Sequence, residues 1–215
     1  MPPTSNANYA WILHILNKLN VSRGIAGFLL ANGALDDSDT QEIRKQLIES
    51  DKVEAIIVLP RNMFYSTDIS VTLWILNNNK KGGPWHGRQL RNRAGEILFI
   101  DLRTWNSNIY EKKYVRLAEA EINRVRQIYF NWQTENFAEY AEPELYYAAH
   151  RDEIQEKGYS LVPSRYIEFV DRDTEIDYQS ALSEMSHKFD ALKKRWDANE
   201  TELVNAFKTL GYGKE

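Results

Sequence analysis

The sequence predicts an α/β fold in which a largely parallel sheet is followed by a long helical tail. Residues 23–31 and 53–59 are strand-length segments dominated by apolar side chains, a pattern typical of strands buried on both faces. An amphipathic segment precedes each of them, so helix and strand alternate along the chain. Large apolar residues recur at heptad spacing over residues 181–210, which predicts a coiled-coil-like helix.

The first half of the chain supplies the elements of the sheet. Tyr9, Ile12 and Leu16 recur at helical spacing, which predicts a helix over residues 6–19. Ser38 and Gln41 have the spacing of a capping box, so we expect a second helix to begin there.

Two further strands are predicted over residues 69–76 and 96–102. The connection between them is rich in Asn, Gly, Lys and Arg and contains no helix-sized apolar stripe. We therefore expect these strands to pair with each other as an antiparallel hairpin at the end of the sheet.

The second half is predicted to be mainly helical. Apolar residues step by three and four from Val115 to Tyr129, which predicts a helix over residues 111–131. Residues 133–177 are mixed and acidic, and we expect them to pack on the sheet. The chain divides into a domain of residues 1–166 and a helical tail of residues 167–215.

Composition excludes several classes of function. The chain has 215 residues, a net charge of −4 and no cysteine, so thiolate chemistry and cysteine-ligated zinc are excluded. The four histidines have no metal-binding spacing, and no Gly-rich phosphate loop follows a strand. Apolar runs are too short to cross a bilayer and no leader precedes them, so we expect a cytoplasmic protein with no membrane partner.

Six blocks of sequence carry a resemblance to a known family. They are residues 2–16, 24–35, 43–69, 73–76, 97–103 and 158–166. In this order they resemble the modification (methylase) subunit of type I restriction–modification systems, an adenine-N6 DNA methyltransferase that uses S-adenosylmethionine. The resemblance implies that residues 1–166 are the C-terminal part of the catalytic domain, with a partial Rossmann-like methyltransferase sheet.

The departure from the family is equally informative. The family's Gly-rich cofactor motif and its catalytic Asn-Pro-Pro-Phe motif are missing from this sequence. We therefore expect no catalytic, cofactor-binding or metal-binding residue in this chain. The chain would be inactive alone, with S-adenosylmethionine bound only in the complete enzyme. The alternative is a non-catalytic module that docks on the DNA-specificity subunit.

Two groups of residues are candidates for contact with DNA. Phe64 and Tyr65 follow a strand at its carboxyl end, and the resemblance implies a place near the flipped adenine; alternatively, they cap the sheet. The basic loop between the two later strands suits phosphate contacts, although it can equally be a solvated hairpin tip. Its candidates are Lys80, Lys81, Arg88, Arg91 and Arg93.

The tail helix is a candidate docking element. The resemblance implies as partners the specificity subunit and, in the full complex, the restriction subunit and DNA. Large aromatic residues often dominate interface energy, which favours Phe189 and Trp196 as anchors. Packing on the sheet domain and homodimerisation remain as alternatives. The candidate docking residues are Leu182, Met185, Phe189, Leu192, Trp196 and Leu203.

Overall fold

The computed structural model of the protein describes residues 6–110, 113–171 and 177–212. The helices are α1 Asn8–Lys18, α2 Gln41–Glu49, α3 Glu119–Thr134, α4 Arg151–Glu156 and α5 Tyr178–Thr209. The strands are β1 Ile25–Ala31, β2 Val53–Val58, β3 Val71–Asn77, β4 Gly83–Trp85, β5 Arg88–Leu90, β6 Glu96–Asp101, β7 Ile109–Tyr110, β8 Tyr114–Val115, β9 Ala141–Glu142 and β10 Tyr146–His150.

A six-stranded mixed sheet forms the centre of the first unit. Its strand order is β1-β3-β2-β6-β10-β9. Strand β2 pairs with β6 in parallel, and every other pairing in this sheet is antiparallel. Strands β1, β2 and β6 therefore run in one direction. We call the end of the sheet where these three strands terminate the carboxyl edge, and the end where they begin the amino edge. Both names refer to the ends of strands and not to the outer strands of the sheet.

The predicted hairpin of the two later strands is wrong. Strand β3 pairs with β1 and β2, whereas β6 pairs with β2 and β10. All six residues of β2 are buried, so this strand needs a paired neighbour on each side and lies between β3 and β6. The connection instead forms its own two-stranded hairpin, β4–β5.

Strand β1 is not buried on both faces as predicted. Its residues alternate between exposed and half-buried, and Ile25 and Leu29 are each 45% exposed. The cause is its position, because β3 is its only strand partner in the described part of the chain. Apolar composition alone does not distinguish an edge strand from a central one.

Each face of the sheet has its own apolar core. On one face, α1 and α2 contribute Tyr9 and Leu47 to a cluster around the buried Trp74. On the other face, α3 contributes Ile128 and Trp132. Burial of these large side chains on both faces fixes the strands and thereby the loops at both edges.

The helix predicted over residues 111–131 begins later than expected. Tyr114 and Val115 form β8, which pairs with β7 as a small antiparallel hairpin. Helix α3 begins at Glu119, where the Glu121 carboxylate accepts a hydrogen bond from the Ala118 N–H at 2.6 Å. This contact satisfies one of the free donors at the helix start, so the helix begins there.

Residues 141–150 supply strands that the sequence pattern did not predict. Strand β10 pairs with β6 along its whole length, and β9 pairs with β10. The acidic segment therefore extends the sheet rather than only packing on it.

The second unit, Asp171–Glu215, contains the 32-residue helix α5. The Asp177 side chain caps it by accepting hydrogen bonds from the Gln179 and Ser180 N–H groups. None of its side chains is buried, and Trp196 is 71% exposed. The helix is as predicted, while coiled-coil pairing stays a prediction. Across the described residues, helices are either too short or too polar to cross a membrane.

Candidate functional site

The carboxyl edge brings together the loop after β2 and the hairpin β7–β8. The loop is closed by the Ser70 hydroxyl, which donates to the Leu59 carbonyl at 2.5 Å. An ion pair links the two ends of the loop, with 3.1 Å between an Arg61 guanidinium nitrogen and an Asp68 carboxylate oxygen. The Val115 N–H donates to the Asn62 carbonyl at 2.8 Å and so fastens the hairpin to the loop.

Phe64 and Tyr65, the predicted base-contact aromatics, both lie in this loop. Phe64 is half-buried and its backbone forms a bridge with Thr67. Tyr65 is 72% exposed, and its ring centroid lies 4.4 Å from that of Tyr114 on β8. The geometry therefore pairs Tyr65 with the hairpin and leaves most of its side chain accessible.

The hairpin adds two cations, Lys113 and Arg116, that are not among the residues predicted from the sequence to contact DNA. The Lys113 ammonium lies 5.3 Å from the Tyr114 ring centroid, and the Arg116 guanidinium lies 5.8 Å from that of Tyr110. Both cations are exposed. The signal that could have found them is the pair of β-prone dipeptides, Ile109–Tyr110 and Tyr114–Val115, which flank a short polar turn.

A cleft of about 420 Å³ lies between the hairpin and the start of α3. It is lined by Asn108, Ile109, Tyr110, Arg116, Leu117, Ala118, Glu119 and Ile122. A groove of about 360 Å³ between the sheet and α3 shares Leu117 and Ile122 with it. The surroundings of the hairpin are thus concave and partly apolar.

The basic residues predicted to contact DNA phosphates lie at the amino edge. Lys80 is buried, and its ammonium donates to the Asp51 carboxylate at 2.8 Å and to the carbonyls of Val53 and Glu96 at 2.8 and 2.6 Å. Burial lowers the pKa of Lys80, although the charge of Asp51 opposes that shift. The assignment of Lys80 to phosphate contact is wrong, because all three of its donors are already used.

Arg93 is likewise removed from the candidate DNA contacts. It is fully buried against Glu54, with 3.2 Å between the guanidinium and the carboxylate. It also donates to the carbonyls of Arg91 and Asn79. The Gln133 amide donates to the same Glu54 oxygen at 3.0 Å. A buried carboxylate requires such partners, and Arg93 supplies the charge that balances it.

Arg91 forms the third ion pair of this edge. Its guanidinium donates to both Glu96 carboxylate oxygens, at 2.8 and 2.6 Å, and to the Trp132 carbonyl. Burial alone would raise the pKa of Glu96, but the hydrogen bonds and charge of Arg91, together with a hydrogen bond from the Trp132 indole N–H, hold the pKa below its usual value. Arg91 therefore has little capacity left for phosphate.

Lys81 and Arg88 are the remaining members of the predicted basic set. Lys81 is exposed, whereas Arg88 is half-buried. The Arg88 guanidinium lies 4.0 Å from the Phe130 ring centroid and donates weakly to Gln133 at 3.4 Å. Contact of Lys81 and Arg88 with DNA phosphates stays a prediction. The described residues contain no cluster of three or more His, Asp or Glu side chains that could hold a metal ion.

Comparisons with known proteins identify the family of this chain. The family model described as N-6 DNA Methylase matches residues 1–175. The MjaIX methylase subunit of a type I restriction enzyme from Methanocaldococcus jannaschii is 32% identical over 98% of this chain and 35% of its own length. The HindI methylase subunit from Haemophilus influenzae is also 32% identical, over 98% of this chain and 45% of its own length.

A solved structure supports the same assignment. The methyltransferase subunit of a type I restriction–modification system from Streptococcus thermophilus superposes with a TM-score of 0.62 at 26% identity. The match covers 77% of this chain and 31% of that chain. This chain therefore spans less than half the length of the relatives it matches.

Proposed function

Since this chain belongs to the N-6 DNA methylase family, we propose that it forms part of the catalytic domain of a type I restriction–modification methyltransferase. The reaction would be adenine-N6 methylation of DNA with S-adenosylmethionine as donor. The family match over residues 1–175 is the observation that carries the proposal. The position of Tyr65 at the carboxyl edge supports it, because ligands of open α/β sheets bind outside the carboxyl ends of strands.

We propose further that the chain does not transfer methyl groups by itself. S-adenosylmethionine carries ribose hydroxyls and a charged amino-acid group, which require polar partners. The groove between the sheet and α3 does not fit it, because its lining is apolar apart from Arg126 and the Tyr129 hydroxyl. The sequence also lacks Asn-Pro-Pro, so the acceptors for the adenine amino group would come from residues outside this chain.

Phe64 and Tyr65 stay candidates for contact with the target base in the assembled enzyme. Tyr65 is the stronger of the two, since it is exposed and supported by Tyr114. Enzymes that modify a base take it out of the stack and hold it against aromatic side chains. Lys81 is the exposed member of the original basic set and remains a candidate phosphate contact.

A complementation assay tests this function. The full chain is mixed with the specificity subunit, DNA and radiolabelled S-adenosylmethionine, with or without the N-terminal part of the Haemophilus influenzae relative. We expect incorporation of label only when that part is present. The matched control carries Asn→Ala in the Asn-Pro-Pro motif of the added part and should restore nothing. Label incorporation by the chain without the added part would overturn the proposed inactivity, and no incorporation with it would overturn the proposed function.

Helix α5 is proposed to dock on the specificity subunit. The relatives are named as subunits of type I restriction enzymes, which implies assembly with other chains. The apolar stripe of α5 is exposed, with Phe189 and Trp196 along it, and such a stripe is stabilised by a partner. Phe189→Ala with Trp196→Ala should abolish co-purification with the specificity subunit while cooperative unfolding persists. Retained co-purification, or loss of cooperative unfolding, would contradict docking through these residues.

A further inference from the structure

We propose that the apolar groove between the sheet and α3 is the docking surface for an amphipathic helix of another polypeptide, the one that supplies the rest of the catalytic domain. The inference rests on the proposed function, because that function requires a second polypeptide to complete this chain. It adds where the second polypeptide packs, which secondary structure it has there and which residues receive it.

The first argument is that the two faces of strand β3 are unequally covered. Trp74 and Leu76 lie on the face of α1 and α2 and are fully buried. Leu73 and Ile75 lie on the face of α3 and are only half-buried. An antiparallel strand with one solvated face normally alternates apolar and polar residues, whereas these four side chains are all apolar. The composition of β3 is therefore that of a strand covered on both faces.

Strand β1 extends the same apolar face. Leu29 lies directly opposite Leu73, and residues opposite each other in an antiparallel pair point to one face of the sheet. Gly27 points to this face too and adds no side chain to cover it. Helix α3 packs through Ile128 and Trp132 on β2 and β6. The apolar surface without a helix above it therefore lies over β1 and β3.

The second argument is the shape of the groove. Its floor is formed by β2 and β3 and one wall by α3, and its volume is about 360 Å³. Along α3 it extends from Ile122 to Phe130, which at the rise of an α-helix is a length of about 12 Å. The opposite face of the sheet carries two helices, α1 and α2, side by side in one apolar cluster. A second helix beside α3 gives this face the same cover.

The third argument is the chemistry of the lining. Arg126 is the single charged residue among the side chains that line the groove. A nucleic acid requires several cations, and a small ligand requires converging polar groups, so neither suits this lining. Arg126 is exposed, and no carboxylate of the described residues lies within ion-pair distance of it. A helix with an apolar face and an acidic residue on its flank satisfies both features.

The relatives indicate the source of this helix. The chain matches 35% and 45% of the lengths of the two methylase subunits, so most of each relative has no counterpart here. A polypeptide that completes the domain must bind this chain stably, and apolar burial is the main driving force of such association. The groove offers that burial without competing with the exposed stripe of α5.

Docking is tested by isothermal titration calorimetry. The full chain is titrated with the N-terminal part of the Haemophilus influenzae relative, without DNA or S-adenosylmethionine. Ile122 is 46% exposed, so Ile122→Lys should preserve the fold, which a thermal melt checks. The dissociation constant should rise by about tenfold or more, because docking desolvates the lysine. The matched control, Gln127→Lys, adds the same charge to α3 at an exposed position outside the groove and should bind as the wild type does.

Cross-linking tests whether the bound segment is a helix. The chain contains no cysteine, so Ile122→Cys provides a single attachment site for a photoactivatable maleimide. After irradiation with the same N-terminal part, mass spectrometry identifies the cross-linked residues. They should lie in one segment at intervals of three or four positions, the spacing of one helix face. Phe137→Cys, at an exposed position outside the groove, should give no cross-link to that segment.

Several outcomes would overturn the inference. They are no binding of the N-terminal part, unchanged binding by Ile122→Lys, equal weakening by Gln127→Lys, cross-links at intervals of two, and cross-links from the groove to α5 or to a second copy of this chain. If complementation restores methyl transfer while Ile122→Lys binds normally, the proposed function stands and only this docking surface is wrong. If Ile122→Lys loses binding but the wild-type mixture transfers no methyl group, the docking surface stands and the function is removed.

Discussion

The basic residues of the loop at the amino edge and those of the hairpin at the carboxyl edge differ in how they are paired. At the amino edge, Lys80, Arg91 and Arg93 are paired with Asp51, Glu96 and Glu54. At the carboxyl edge, Lys113 and Arg116 are exposed, and the described residues offer no carboxylate within ion-pair distance of them.

The contrast shows that a cluster of cations in sequence is not a measure of positive surface. The carboxylates that neutralise the amino edge come from other segments, Asp51 and Glu54 at the start of β2 and Glu96 at the start of β6. Whether a basic residue can bind a phosphate therefore depends on carboxylates that are distant in sequence. Substitutions at each edge test this difference.

The largest effect is expected at Arg93. Arg93→Ala leaves the fully buried Glu54 without its cation, and breaking such a pair typically costs about 3–5 kcal/mol. The free energy of unfolding, measured by urea titration, should fall by this amount. The matched control is Arg116→Ala at the carboxyl edge, where we expect a change of less than about 0.5 kcal/mol. A loss of similar size for both variants would contradict the distinction between the edges.

A smaller effect is expected from acid titration of the pair Arg91–Glu96. The folded-state pKa of Glu96 is depressed by Arg91, so the stability it contributes is fully present above the unfolded-state pKa. That contribution is lost as pH falls through the folded-state pKa.

We expect wild type to exceed Glu96→Gln by about 2 kcal/mol at neutral pH, the scale of a charged hydrogen-bonded pair. The difference between the two urea titration curves should shrink as the pH is lowered below the usual glutamate range. A difference that is constant from neutral to acidic pH would contradict the role assigned to the ion pair.

Some elements were predicted correctly because the local sequence pattern determines them. Strand β2 is buried along its whole length, as its composition predicted, which is apolar except for Glu54. Helix α5 follows from heptad spacing over residues 181–210, and the structure gives Tyr178–Thr209. These features depend on residues that are neighbours along the chain.

The errors arose where distant segments decide the structure. Strand β3 pairs with β2 because the buried strand β2 needs a paired strand on each side. The local sequence of β3 does not show this requirement. The burial of Lys80 and Arg93 follows from carboxylates that lie 29 and 39 positions away. Charge counting within the loop could not detect either pairing.

The candidate site was predictable only in part. Tyr65 was recognised because it follows the carboxyl end of a buried strand. The hairpin was missed because its strands are two residues each, too short for a periodic signal, and because the helical pattern after Ala118 was extended across them. The sequence does not show that Tyr114, Lys113 and Arg116 lie near Tyr65. Their position follows from the contacts between the hairpin and the loop that carries Tyr65.

The position of β1 also bears on how the purified chain behaves at high concentration. The strand carries seven residues without a single charge, Ile25–Ala31, and in the described chain its outer backbone groups pair with no other strand. Natural proteins protect such edges with charges, bulges or prolines, because an open apolar edge templates further strands. Strand β1 therefore offers an edge to which a further strand can pair, and Leu29→Lys is expected to reduce edge-to-edge association between copies of the purified chain.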